Sequence, residues 1–153
     1  MATILIVDDD AELRLVISKQ IRRSGLDCLE AANGKEAIDL IALHSPDLIM
    51  LDVIMPELDG FGVVKALQED EVSSKLPLII YSCKDLCQRE RELLVLGVTR
   101  YLKKGDASGD DLNNTIDELL TAMSPLIETN YMQGKENKLD YRSENSNFKE
   151  LVS

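Results

Sequence analysis

The 153-residue sequence predicts an α/β fold in which five strands and five helices alternate. Two observations support this prediction. A short apolar run, a break and an amphipathic stretch follow one another five times, and the apolar runs have the length of strands rather than helices. Because consecutive parallel strands are joined by crossover helices that cover both faces of their sheet, this alternation indicates a doubly wound parallel sheet.

The elements can be placed in chain order. The strands are expected at residues 3–7, 28–31, 47–51, 78–81 and 99–102. Apolar residues at helical spacing indicate the five helices. In order, they are Leu13, Ile17 and Ile21; Ala37, Ile38 and Ile41; Val63, Val64 and Leu67; Leu86, Leu93 and Leu94; and Leu112, Ile116, Leu119, Leu120 and Met123.

Polar residues and glycines mark the helix ends. Asp10 is expected to cap the first helix and Ser108 the fifth, because short polar side chains accept hydrogen bonds from the free N–H groups of a first turn. Gly25 and Gly97 are expected to follow the last turns of the first and fourth helices, where glycine permits a left-handed backbone.

Length and charge limit the class of protein. We expect one domain at residues 1–123 and a polar tail or linker at residues 124–153, which lack a sustained apolar period. No apolar run approaches the roughly 18–20 residues of a membrane span, and no basic leader is present, so we expect a cytoplasmic protein without membrane contact. The formal net charge of −11 argues against a nucleic-acid surface, which needs clustered Lys and Arg.

The three cysteines are expected to be reduced and packed. Cys28, Cys83 and Cys87 are odd in number and lack the partner pairs of a zinc site, since His44 is the single histidine of the sequence.

Polar residues follow the carboxyl ends of four predicted strands. Ligands of parallel sheets bind beyond these ends, so the side chains are expected to converge. The carboxylates among them repel one another, which indicates that they bind a hard cation such as Mg²⁺. Asp10 is expected to act as a helix cap instead of a ligand. The alternative is that the first three aspartates are only capping and solvated residues. The set comprises Asp8, Asp9 and Asp10 after the first strand, Asp52 after the third, Ser82 after the fourth and Lys104 near the end of the fifth.

This combination fits phosphoryl transfer, in which catalysis consists mostly of positioning and charge neutralisation. Asp52 would attack phosphorus in line, Lys104 and the metal would hold phosphoryl oxygens, and the Ser82 hydroxyl would donate to another. Taken singly, Lys104 could be a solvated surface lysine and Ser82 a loop residue.

The sequence resembles the receiver domain of bacterial response regulators over about residues 2–123. The resemblance implies a flavodoxin-like fold with strand order 2-1-3-4-5. It rests on residues in the family's order and spacing: 4–10, 47–52, Met55-Pro56, Asp59-Gly60, 78–82 and 101–104.

The resemblance implies a role for each site residue. Asp52 would accept the phosphoryl group from a histidine kinase or a histidine phosphotransfer protein, with Ser82 and Lys104 assisting. The Mg²⁺ cofactor would be held by Asp8, Asp9 and Asp52, together with the main-chain carbonyl of Ile54. Such a receiver is a signalling protein of a two-component phosphorelay. It catalyses only its own Mg²⁺-dependent phosphorylation and dephosphorylation.

Ser82 and Tyr101 would form a switch pair, in which Tyr101 turns inward when the phosphoryl group draws the Ser82 hydroxyl toward it. The switch would alter the face formed by the fourth helix, fifth strand and fifth helix, where a downstream protein target docks. Tyr101 could instead be an aromatic residue at the edge of the core. We expect a monomer or a weak dimer.

Three positions modify this interpretation. Gly105 stands where the family often has proline, which predicts a more mobile loop after Lys104. Ile54 and Lys84 each lie two residues beyond a site residue, at positions that tune the lifetime of the phosphoryl group in the family. An apolar Ile54 is expected to be unable to orient an attacking water.

Two other functions account for part of the sequence. A phosphohydrolase of the haloacid dehalogenase type would use Asp8 as nucleophile and Asp10 as acid, but it leaves Asp52 unexplained. A pseudo-receiver that only binds a partner would be expected to lack Asp52, Lys104 or the acidic pair, and all are present.

Overall fold

The computed structural model describes residues 1–123, and these form the predicted five-stranded parallel sheet. The strand order is β2-β1-β3-β4-β5, which confirms the expected topology. The strands are β1 (Thr3–Val7), β2 (Asp27–Ala31), β3 (Leu48–Leu51), β4 (Leu78–Ser82) and β5 (Thr99–Lys103). The helices are α1 (Ala11–Arg23), α2 (Gly34–His44), α3 (Gly60–Gln68), α4 (Gln88–Leu93) and α5 (Gly109–Met123), with a short 3₁₀ helix at Ser73–Lys75.

The register of the sheet brings the strand ends together. Val7 of β1 pairs with Leu51 of β3, and Leu51 pairs with Ile80 of β4. The hydrogen-bond ladder continues into the residues that follow the strands, since the Asp52 N–H donates to the Val7 carbonyl and the Lys104 N–H to the Ser82 carbonyl, both at 2.9 Å. Backbone pairing therefore fixes these residues at one edge.

Two apolar clusters cover the two faces of the sheet. One contains Leu5 and Ile49 beneath α2 and α3, and the other contains Ile6 and Met50 beneath α1 and α5. Alternate residues of a strand point to opposite faces, so continuously apolar strands are buried on both sides. The carboxyl ends of the strands thus rest on a well-packed scaffold.

The predicted N-terminal caps of the first and fifth helices are both present. The Asp10 carboxylate accepts hydrogen bonds from the N–H groups of Glu12 and Leu13, at 3.1 and 3.2 Å. Ser108 and Asp111 cap α5 reciprocally, each side chain accepting from the other's N–H group. Gly25 has a φ of 89°, in agreement with its predicted place after α1.

The fourth helix differs from the prediction. It is only six residues long, begins after Leu86 and has Leu94 as its C-terminal cap, so Gly97 does not terminate it. Gly97 instead lies against the main-chain carbonyls of Lys75 and Leu76, where any Cβ would overlap them. A tertiary contact, rather than a helix end, requires glycine here.

All three cysteines are free, as predicted, but the prediction that they are packed in the core is correct for only one of them. Cys28 is buried, whereas Cys83 and Cys87 are exposed in the segment between β4 and α4. Spacing alone could not show that this segment leaves the core.

The predicted tail at residues 124–153 lies outside the described residues, so the domain boundary stays a prediction. Within residues 1–123, no helix is long and apolar enough to cross a membrane.

Candidate functional site

Three carboxylates converge at the carboxyl edge of the sheet. Oxygens of Asp8, Asp9 and Asp52 all lie within 4.8 Å of one another. Asp8 and Asp52 retain only 3% and 6% of their exposure, while Asp9 is exposed. Concentrated negative charge with an open side toward solvent suits a hard cation that prefers oxygen ligands.

Local hydrogen bonds hold the first of these carboxylates. Asp8 Oδ1 accepts from the N–H of Asp10 at 2.9 Å, so the helix cap and the acidic cluster share one turn. Arg14 Nη1 donates to the Asp8 main-chain carbonyl at 2.6 Å, and Arg14 Nε pairs with Glu30 at 3.2 Å. Sequence reasoning missed Arg14. Its position one helical turn beyond Asp10 was the available signal.

Lys104 connects two of the carboxylates. Its Nζ lies 2.6 Å from Asp8 Oδ2 and 3.3 Å from Asp52 Oδ2, and its side chain is only 18% exposed. The same ammonium lies 5.9 Å from the ring centroid of Tyr81. A single cation therefore partly neutralises two carboxylates that are nearly shielded from water.

The environment shifts the protonation equilibria of this pair. Burial, followed by the charge of Asp8, raises the pKa of Asp52, although Lys104 and a hydrogen bond from Ser82 act in the opposite direction. Burial opposes the charge on Lys104, but its hydrogen bond to Asp8 and the charge of Asp52 outweigh that effect, so the pKa of Lys104 is raised. A carboxyl group with a raised pKa beside a largely buried ammonium is typical of a functional site.

Ser82 is buried at the end of β4, with 1% of its surface exposed. Its Oγ accepts a hydrogen bond from the Lys84 N–H at 3.3 Å. Ile54, by contrast, points its side chain outward, 59% exposed. The Ser82 side chain also hydrogen-bonds to Asp52, whereas Ile54, two residues after Asp52, is exposed to solvent.

Gly60 allows α3 to begin directly against the end of β3. Its N–H donates to the Val53 carbonyl at 2.8 Å. A Cβ at this position would lie 2.8 Å from the Asp52 carbonyl oxygen and from the Val53 Cα. Any larger residue would therefore displace the backbone that carries Asp52.

Gly105 follows Lys104 with a φ of 91°, a conformation that favours glycine. A Cβ there would meet no atom within 4 Å, so the requirement for glycine comes from the backbone conformation rather than from space. Proline, whose φ is fixed near −65°, could not adopt this turn.

Tyr101 lies on β5 with its hydroxyl directed toward α4. The hydroxyl donates to the carbonyls of Arg91 and Leu94, at 2.8 and 3.0 Å. The Arg91 guanidinium stands 5.1 Å from the ring centroid. Between Tyr101 and Ser82 lies a cavity of about 110 Å³ whose other lining residues include Lys84, Arg91 and Lys103.

A second cavity, of about 420 Å³, lies between α2 and α3. Its lining includes Pro46 and Leu76, which precede β3 and β4. It therefore opens at the amino edge of the sheet, opposite the acidic cluster. Size alone does not identify the site here, because the ionisable groups lie at the other edge.

Comparison with known proteins agrees with this geometry. The model of the response regulator receiver domain family matches residues 4–117. The phosphate regulon transcriptional regulatory protein PhoB of Pseudomonas aeruginosa is 35% identical over 102 residues, which are 67% of this chain and 44% of that protein. The transcriptional regulatory protein PdtaR of Mycobacterium tuberculosis is 30% identical over 142 residues, which are 92% of this chain and 66% of that protein.

Solved structures show the same architecture. The receiver domain of the Francisella response regulator 1452 superposes with a TM-score of 0.72 at 31% identity, covering 81% of this chain and 100% of that one. This chain spans from under half to about two thirds of the length of the two curated relatives, so their whole-protein activities are not transferred with the fold.

Proposed function

Since this chain belongs to the response regulator receiver domain family, we propose that it accepts a phosphoryl group on Asp52 from the phosphohistidine of a histidine kinase or a histidine phosphotransfer protein. One observation carries the proposal: Asp52, nearly buried directly after β3, lies in one cluster with Asp8 and Asp9 and 3.3 Å from the Lys104 ammonium. The family is a signalling family, and we propose no reaction beyond self-phosphorylation and dephosphorylation.

The carboxylate cluster fits Mg²⁺, because oxygen donors on one side and solvent on the other suit a cation that keeps several waters. Asp8, Asp9 and Asp52 would hold the ion, with the Ile54 main-chain carbonyl as a further ligand. When bound, the ion would supply positive charge that relieves the repulsion among carboxylates and phosphoryl oxygens.

The chain's own residues then perform the transfer. An Asp52 oxygen forms a bond to phosphorus while the bond from phosphorus to the donor imidazole nitrogen breaks, and the nitrogen keeps the electron pair. Lys104 moves part of its contact from Asp8 to a phosphoryl oxygen, and the Ser82 hydroxyl donates to another. All three groups stand on fixed strand ends, so little reorganisation is required.

Tyr101 would transmit the phosphorylation of Asp52 to the surface of the domain. In the present conformation Tyr101 lines the cavity beside Ser82, and its hydroxyl donates to the carbonyls of Arg91 and Leu94. Movement of the Ser82 hydroxyl toward the phosphoryl group would leave room for the ring to turn inward and release the carbonyls of Arg91 and Leu94. This would bias the surface made by α4, β5 and α5 toward binding a downstream protein.

The hydrolase alternative receives less support. Asp10, its proposed acid, caps α1 through its Oδ1, which accepts from two backbone N–H groups. Asp52, which that alternative does not use, lies within the acidic cluster.

We also propose that the receiver acts in the cytoplasm as a monomer or weak dimer, without binding nucleic acid.

Acetyl phosphate with Mg²⁺ tests the proposal. The wild-type chain should gain one acid-stable, base-labile phosphoryl group, detected by intact mass, and Asp52→Asn should abolish it. Asp39→Asn, an exposed change on α2 with the same loss of charge, is the matched control and should be phosphorylated normally. Continuous phosphate release by the Asp52→Asn variant would instead support a hydrolase.

A further inference from the structure

The main chain of Asp8 lies where the ladder between β1 and β2 ends. The Asp8 N–H donates to the Ala31 carbonyl at 3.1 Å. In a parallel ladder the same residue also accepts from the neighbouring strand, here from the N–H of residue 33. However, β2 ends at Ala31, and Asn33 is the N-terminal cap of α2. Because Asp8 is almost fully buried, its carbonyl needs another donor.

Arg14 of α1 supplies this donor from its side chain. Arg14 Nη1 donates to the Asp8 carbonyl at 2.6 Å, and Arg14 Nε donates to the Glu30 carboxylate of β2 at 3.2 Å. The side chains of Arg14 and Glu30 are 16% and 32% exposed, so the contacts are partly shielded from water. Since the guanidinium donors form a rigid planar fork, the contact with Glu30 also orients the contact with Asp8.

The Asp8 carbonyl is part of the peptide unit that joins Asp8 to Asp9. This unit is planar, so a fixed carbonyl sets the direction of the main chain that carries both carboxylates. The Asp8 side chain has its own contacts, with the Asp10 N–H and with Lys104. Within the described part of the chain, no side-chain hydrogen bond or ion pair holds the exposed Asp9 carboxylate. The place of Asp9 in the acidic cluster therefore depends on the main chain.

We propose that Arg14 is a positioning residue for Mg²⁺ binding. It holds the peptide unit between Asp8 and Asp9 so that both carboxylates are already directed toward the ion, and Glu30 holds Arg14 in place. The inference rests on the proposed function, because it concerns the ion that these carboxylates would bind. Groups that orient metal ligands without touching the metal commonly change affinity about 10–100-fold when they are replaced.

The direction of the effect separates positioning from charge. The Arg14 guanidinium is positive, so its removal would strengthen the binding of a cation if charge were its only contribution. Release of the peptide unit would instead weaken the binding, because the carboxylates would have to be ordered when the ion binds. Arg14→Gln therefore gives opposite results under the two explanations.

The test measures Mg²⁺ affinity on the full chain from the backbone amide shifts of residues 8–10 and 52 in an NMR titration. Arg14→Gln should raise the dissociation constant at least about tenfold. Arg14→Lys keeps the charge but lacks the planar fork, and it should raise the constant several-fold. Arg23→Gln, which removes the same charge from the exposed end of α1, should change it little.

A second variant tests whether Arg14 and Glu30 act as one unit. Glu30→Gln should weaken Mg²⁺ binding several-fold in the wild-type chain but have little further effect in the Arg14→Gln chain, because groups in one network are not additive. Asp27→Asn removes the same charge from the exposed opposite end of β2. Its effect should be small and equal in both backgrounds.

Phosphorylation by acetyl phosphate separates positioning from damage to the fold. Arg14→Gln should raise the Mg²⁺ concentration that gives the half-maximal rate by the same factor as the dissociation constant. The rate at saturating Mg²⁺ should stay near that of the wild type. A variant that is only partly folded would instead yield less phosphorylated chain even at saturating Mg²⁺, and a lower plateau in Arg14→Gln and Arg14→Lys would contradict the proposal.

Three further results would overturn the proposal. These are unchanged or tighter Mg²⁺ binding by Arg14→Gln, equal weakening by Arg23→Gln, or additive effects of the Arg14 and Glu30 variants. Failure of the proposed function is distinguishable from these, because the wild-type chain itself would then show no Mg²⁺-dependent shifts at these residues or no phosphorylation of Asp52.

Discussion

Lys103 and Lys104 are consecutive residues that pair with carboxylates in two very different regions. Lys104 lies 18% exposed between Asp8 and Asp52, at the packed edge of the sheet. Lys103 is 41% exposed and pairs with the solvated Asp85 in the β4–α4 segment. The first region holds charges that are fixed between buried groups, and the second holds charges in a solvent-exposed pair that can exchange partners. The difference arises because consecutive residues of an extended chain point to opposite sides, and Lys104 continues directly from the last residue of β5.

The largest expected difference is in the rate of phosphorylation when each of the two lysines is replaced in turn. Lys104→Met should lower the rate of phosphorylation by acetyl phosphate roughly 100-fold, the usual effect of removing one fixed group that stabilises transition-state charge. Lys103→Met, its matched control, should retain the wild-type rate. A stopped-flow or mass-resolved time course measures both. Equal rates for the two variants would break the distinction between the regions.

The entrance to the acidic region offers a smaller kinetic test. Ile54 is exposed beside the site and has no group that can orient water. Ile54→Asn should therefore speed loss of the phosphoryl group roughly tenfold, less than the roughly 10²–10⁴-fold of a general base, because an amide orients water without taking its proton. The decay of phosphorylated protein after removal of acetyl phosphate measures it, with Ile54→Val as control. An unchanged lifetime would show that side chain to be irrelevant to hydrolysis.

Asp52 should lower the stability of the domain in metal-free buffer. Because the pKa of Asp52 is raised above its usual 3.8, the unfolded chain releases this proton at lower pH than the folded one. The folded state therefore loses stability as the pH rises from 3.8 through the raised value. Asp52→Asn should stabilise the domain at pH 7 by about 0.5–2 kcal/mol, as is common for relief of functional strain.

Denaturant unfolding at several pH values checks this expectation. The gap between Asp52→Asn and wild type should narrow as the pH falls toward 3.8. Mg²⁺ should stabilise the wild type more than the variant. A variant less stable than wild type at pH 7 without metal would contradict the assignment of strain to Asp52.

The α4 region should respond to a change too small to affect the chemistry. Tyr101→Phe removes hydrogen bonds to the carbonyls of Arg91 and Leu94, which should cost about 0.5–1.5 kcal/mol. Faster amide exchange should be confined to α4 and its C-terminal end, with phosphorylation unchanged. Tyr81→Phe, on the neighbouring strand, is the control. A slower phosphorylation rate would mean that the regions are not separable in this way.

The arrangement of the acidic cluster could be predicted from the sequence better than that of the α4 region. Asp8, Asp52 and Lys104 were predictable as neighbours because parallel register forces strand ends together, and strand ends can be recognised from apolar runs. Asp10 followed from its capping chemistry. These features depend on periodicity and on residues close in the sequence.

The α4 region depends on contacts between distant residues and was predicted less well. Its helix ends early, where the Tyr101 hydroxyl donates hydrogen bonds to the carbonyls of Arg91 and Leu94. Glycine is required at position 97 because the Lys75 main chain lies against it, and not because a helix ends there. The exposure of Cys83 has the same origin, because it follows from a segment that leaves the core. None of these contacts has a local signal.

We propose that Asp52, and no other member of the acidic cluster, carries the phosphoryl group. Treatment with acetyl phosphate and Mg²⁺, followed by borohydride reduction, converts an aspartyl phosphate to homoserine, which peptide mass spectrometry can locate. We expect homoserine at position 52 and none in the Asp52→Asn variant. Homoserine at position 8, as expected for the hydrolase, or no homoserine in the wild-type chain, would contradict it.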